Sequence, residues 1–161
     1  MRDAALPAAL LCTAFGLALA FAPRRAWGSS LAALAVTSAV FAFSPAITGG
    51  LDFALLGCWM SAAASAGTVY LPRGVNSRGA FVLSLNTGFW SGVVVAFAGS
   101  RADLLKALPC ALAFIPALLF VRRRAPIVVK VVSSWLIAVS ILAATLPLLP
   151  VTPGYMPDHL D

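Results

Sequence analysis

Six apolar stretches, each close to the length needed to cross a bilayer, fill this chain almost from end to end. About 20 consecutive apolar residues span the hydrocarbon as a helix. By that measure the stretches run over 4–22, 29–48, 51–71, 80–99, 104–121 and 127–149. Residues that end helices separate several of them, among them Pro23-Arg24-Arg25, Gly49-Gly50 and Pro72-Arg73-Gly74. In lipid every backbone polar group must be satisfied within the protein, which leaves helices or a closed barrel. Barrel strands would alternate over about ten residues. These runs are instead solid and rich in Ala and Leu, so the expected fold is an all-α polytopic bundle of six transmembrane helices. Short loops predict antiparallel hairpins between neighbours. The expected domain organisation is one transmembrane domain, 1–150, followed by a short polar tail, 151–161.

Composition excludes the soluble alternative. The chain is 61% hydrophobic and 10% charged, whereas a soluble domain carries about a quarter charged residues. It has no Glu and no Gln, so the usual surface formers of soluble helices are missing. The net charge of +6 does not point to nucleic acid, because the basic residues sit in connections between apolar runs and form no recognition module.

Those connections set the orientation. With six spans, one side holds Arg24, Arg25, Arg73, Arg78, Arg122, Arg123, Arg124 and Lys130 without a single acid. The other holds Arg2, Arg101 and Lys106 with Asp3, Asp52, Asp103, Asp158 and Asp161. The positive-inside bias makes the first side cytoplasmic and both termini external. The eight basic residues of that side are then expected to contact anionic lipid headgroups of the bilayer. A cleaved signal peptide is the rival reading of the first stretch, since Ala18-Leu19-Ala20 and Ala20-Phe21-Ala22 are small-x-small sites. Removing that span would place the arginine clusters outside, so it is kept as a helix. The Ala-rich, Glu-free composition fits a bacterial inner membrane.

No ionisable group lies near mid-membrane, where one would mark a proton or ion path. Lys106 and Lys130 are close enough to span ends to snorkel. Proline placement is more suggestive. Ala42-Phe43-Ser44-Pro45-Ala46 and Ala113-Phe114-Ile115-Pro116-Ala117 share the pattern A-F-x-P-A, and each falls in the middle helix of a three-helix half. Interrupted helices at matching positions of inverted halves point to a substrate site. A weak 3+3 inverted repeat is one account of the match, and chance in a Pro-tolerant membrane chain is the other. Ser44, Pro45, Asn86, Thr87 and Pro116 are therefore the candidate substrate-pathway residues. For Asn86, the most polar residue within a span, a hydrogen bond to a neighbouring helix competes with ligand contact.

Cys12, Cys58 and Cys110 fall at similar depth, roughly 9 to 12 Å below the outer boundary at 1.5 Å per residue. Three thiols in one layer suit a soft metal ion, but no ligand spacing supports one, and a buried thiol packs as a small apolar group. No metal and no cofactor is expected. Trp27 and Tyr70 sit where an aromatic belt should be, while Trp59, Trp90 and Trp135 lie deep in their spans and are expected to pack inside the bundle. Gly57, Ser61 and Ser65, and again Ser84, Gly88 and Gly92, recur every four residues, which suits close helix contact within one chain. His159 with Asp158 and Asp161 is the only other cluster with metal-ligand chemistry, and a single His is weak support.

No catalytic motif occurs, so no enzymatic role is expected. The leading expectation is a small-solute translocation unit acting as an oligomer. The alternative is an accessory or assembly subunit of a larger membrane complex, with a membrane-embedded enzyme third. Expected partners are the bilayer and either further copies of the chain or other membrane subunits. A kinked helix pair facing a central cavity would favour transport; a packed core with an apolar outer surface would favour the subunit.

Overall fold

The computed structural model describes residues 5–44, 50–72, 74–98 and 101–146. Among them the chain is helical, with no strand. Helix α1 is Ala5–Leu19, α2 Trp27–Ala42, α3 Leu51–Gly67 and α4 Ser77–Ala98. A rod follows, made of α5, Arg101–Ala107, a 3-10 stretch, Leu108–Ala113, and α6, Phe114–Arg122. The last helix, α7, is Pro126–Thr145. Counting the rod once gives six helices among the described residues. Four segments are long and apolar enough to cross a membrane: Leu51–Tyr70, Ser77–Phe97, Ala102–Arg122 and Pro126–Thr145. Helix α1 is shorter.

Local chemistry explains where the helices depart from the expected spans. Asn76 Oδ1 accepts the Gly79 amide at 2.7 Å, a side-chain cap that starts α4 at Ser77 rather than Ala80. Helix α2 stops at Ala42, well short of the expected residue 48. The α region is disfavoured for a residue preceding proline, which favours ending the helix before Ser44-Pro45. Pro45 and the rest of 45–49 lie outside the described residues. In the rod, Pro109 and Pro116 remove the N–H groups that would bond to residues 105 and 112, and Leu108–Ala113 runs as the 3-10 stretch. Pro126 opens α7 at the first helical position, where a missing N–H costs nothing.

The turn between α6 and α7 is tightly specified. The Ala125 amide donates to Phe120 O at 2.9 Å and the Arg124 amide to Val121 O at 3.3 Å. That is the paired C-terminal bond pattern that usually ends on a left-handed glycine. Here the left-handed residue is Arg124, at φ 58°.

Helix α1 lies at the centre. Ten of its 15 residues are buried, and each of the four buried apolar clusters contains part of it. Ala8 packs with Val95, Leu104 and Ala107; Leu11 with Ala54, Cys58, Val93 and Val94. Phe15 and Leu19 join Leu34, Ala80 and Ala111; Ala14 and Leu17 join Ala66, Ala117 and Leu136. Gly16 is the point of closest approach: a Cβ there would stand 2.5 Å from Ala111 O in the rod. The small side chain therefore lets two backbones touch.

The remaining helices pair around this axis. Ser30, Leu34 and Ser38 of α2 are buried and meet the small stripe of α4. A Cβ on Gly88 would stand 2.9 Å from Leu34 O, and one on Gly92 would stand 2.6 Å from Ser38 O. At the near end of the same pair Arg25 reaches Ser77, so α2 and α4 advance together. Trp90 of α4 lies over Gly57 of α3. Tyr70, just beyond α3, donates to Lys130 O at 2.7 Å near the start of α7.

Candidate functional site

Most of the described basic residues gather at one end. Arg24, Arg25, Arg78, Arg122, Arg123, Arg124 and Lys130 are exposed there; Arg73 lies outside the described residues. The end is knit together by the turn of α1 into α2, the exit from α3, and the starts of α4 and α7. Trp27 Nε1 donates to Ala22 O at 3.2 Å and its ring packs on Phe114. Gly74, at φ +66°, sits so close to Phe21 O that a Cβ would stand 2.9 Å from it. Only a residue without a side chain fits both the angle and the approach. The described acids, Asp52 and Asp103, instead occupy first turns of α3 and α5, where a helix favours negative charge. Asp103 is paired with Lys106 at 3.1 Å.

A groove of about 490 Å³ opens at the basic end. Thr68 and Leu71, at the exit of α3, form one wall; Gly79, Val82 and Leu83, on the first turns of α4, form the other. Gly74, Val75 and Asn76 close its end. Of its polar side chains, Thr68 Oγ1 bonds Ser65 O at 2.7 Å and Asn76 Oδ1 accepts the Gly79 amide. The surface it offers is therefore largely apolar.

Of the residues singled out as a substrate pathway, Pro45 lies outside the described residues. Asn86 Nδ2 donates to Ser61 Oγ across the α3–α4 contact. Thr87 is fully buried and its hydroxyl has no partner among the described residues. Ser44 is half-buried beyond the last turn of α2, and Pro116 is exposed on the outside of the rod. Cys12 and Cys58 are buried and Cys110 half-buried, with Cys12 and Cys110 in one cluster and Cys58 in another. Among the described residues no three of His, Cys, Asp and Glu are grouped to hold a metal. The cluster at His159 lies outside those residues.

The aromatic assignments divide. Trp59 is buried and Trp90 packs against Phe53 and Phe89. Trp135 does not pack inside as expected: it is 59% exposed on α7, because that helix turns only a narrow seam inward. The Gly57–Ser61 spacing held a signal for the Asn86 partner, since both residues lie on the stripe facing α4. The groove had no comparable signal; it depends on how a loop folds back on α1. Comparison with protein families, curated proteins and solved structures finds no match.

Proposed function

We propose that the chain is a six-helix integral membrane protein with its basic end cytoplasmic, working as a non-enzymatic accessory or assembly subunit of a larger membrane complex. In this reading neighbouring helices run antiparallel, as the paired contacts Ser61–Asn86 and Tyr70–Lys130 support. Both termini are then external, and a bacterial inner membrane is the natural setting.

The observation that carries the reading is the burial of α1. Its side chains occupy the axis along which a solute would cross a single copy. The outer helices instead present exposed apolar side chains to their surroundings, among them Phe53, Met60, Leu105, Ile115, Val131, Trp135 and Leu142. Such a surface suits lipid and neighbouring membrane helices. With Pro116 facing outward, the A-F-x-P-A pattern gives an inverted repeat no support from a shared lining.

Purification in mild detergent with a photo-crosslinker at Val131 or Trp135 tests this. A stoichiometric membrane partner, captured from both positions and lost when α7 is altered, is the expected result. A homogeneous homo-oligomer with no partner, moving solute in vesicles, would overturn it and restore the translocation reading.

A further inference from the structure

We propose that the groove between the exit of α3 and the first turns of α4 binds one acyl chain of an anionic phospholipid, with its phosphate held at the rim by Arg25 and Arg78. The proposal rests on the membrane reading above and goes further by naming the ligand. Its lining decides the chain. Leu71, Val75, Val82 and Leu83 supply apolar walls, and the hydroxyl of Thr68 and the amide oxygen of Asn76 are spent on backbone partners. A polar ligand would find few hydrogen bonds, whereas hydrocarbon would lose none. At 490 Å³ the space falls within the range of small-ligand pockets, roughly 300 to 1,000 Å³.

Position and charge decide the rest of the ligand. Leu71 and Val82 are 51% and 62% exposed, and the neighbouring Phe81 and Leu85 carry the apolar surface onward along α4. A chain lying in the groove thus stays continuous with the hydrocarbon. Arg78 precedes Val82 by one helical turn, on the same face. Arg25 Nε donates to Ser77 Oγ at 3.4 Å, which fixes it beside the same helix start and leaves the rest of its fork of donors for a phosphate. No described acid stands at this end to compete. Charge complementarity therefore selects an anionic headgroup over a zwitterionic one.

The test uses the purified full chain in mild detergent, with thermal unfolding followed by tryptophan fluorescence. At about ten times its Kd, phosphatidylglycerol is expected to raise Tm by roughly 3–6 °C, and phosphatidylcholine by clearly less. Losing one arginine should weaken the apparent affinity about fivefold, and Arg25→Ala with Arg78→Ala should abolish the preference. Val82→Trp, which fills the groove from an exposed position, should abolish the response with both arginines intact. Arg122→Ala with Arg123→Ala, at the same end but off the rim, should retain it. An equal response to both lipids, or one that survives Val82→Trp, overturns the proposal. So does a response lost equally in the Arg122/Arg123 variant, which would mean diffuse surface charge. Carbonate washing of membranes separates the two readings. If the chain resists extraction while the lipid preference is absent, only the groove proposal falls; if wild-type chain is released, the membrane reading falls too.

Discussion

Helices α1 and α7 are both strongly apolar, yet the fold treats them in opposite ways. Of the residues of α1, Leu6 alone is exposed, while Phe15, Leu11 and Leu19 are among the most completely buried side chains of the molecule. Helix α7 buries a seam of Val129, Ser133, Leu136, Ser140 and Ala144 and turns Ile127, Val131, Trp135 and Leu142 outward. In water an apolar outward face would be penalised, and the difference would be written into the pattern as an amphipathic stripe. In hydrocarbon the outward face carries no such cost. What distinguishes the central helix is size: Ala8, Ala14, Gly16 and Ala18 admit neighbours on every side.

The largest effects should follow this division. Leu11→Ala, in the fully buried cluster with Cys58 and Val94, is expected to cost about 2–5 kcal/mol. Leu142→Ala, 63% exposed on α7, should cost no more than about 0.5 kcal/mol. Equilibrium unfolding in mixed detergent micelles compares them directly, and equal losses would erase the contrast between axis and rim. Next comes Gly16→Ala. A single methyl must displace the Ala111 carbonyl, so a loss of about 1–3 kcal/mol is expected, while Gly28→Ala, where the space is open, should be near neutral. If both glycines tolerate alanine alike, the close approach of α1 to the rod is not what seats it.

These particulars mark what could be read beforehand. The existence of the helices was legible because about 20 apolar residues admit little else, and the basic end because charges cannot stay in hydrocarbon. The stripe at Ser84, Gly88 and Gly92 announced a close contact, though not that Leu34 and Ser38 would fill it. Which helix lies at the centre was hidden, since Gly16 reads as one glycine among several until Ala111 stands against it. Pro116 illustrates the converse. That it interrupts the rod was legible, and the 3-10 stretch that holds Pro109 lies just before it, but whether it faced a cavity or the outside depended on the packing of the whole rod.

A smaller effect separates polar from apolar fastening. Asn86 ties α4 to α3 through Ser61, so Asn86→Leu is expected to cost about 0.6–2 kcal/mol. Ser61→Ala should cost a similar amount, and the double variant little more than either alone. A fully additive double variant would show that the pair does not act as one contact, leaving Trp90 over Gly57 as the main link between these helices.

The smallest expected effect has the opposite sign, and it lies where the peripheral helix is attached. Arg124 holds a left-handed conformation, φ 58°, that costs a side-chain-bearing residue about 1–2 kcal/mol. Glycine would relieve most of that strain but would lose more freedom on folding, so Arg124→Gly should stabilise the chain by about 0.5–1 kcal/mol. For a chain of this length that is a rise in Tm of a few degrees. Arg122 and Arg123 remain beside it, so a reporter fused in the loop between α3 and α4 should keep its orientation. A stabilised variant with unchanged topology would mean that the arginine is held in a costly conformation without being needed for the fold, and would leave its charge at the basic face as the reason for it. A destabilised variant would instead show that the Arg124 side chain fastens the start of α7. The narrow seam along Val129, Leu136 and Ala144 would then not be the only thing holding the peripheral helix in place.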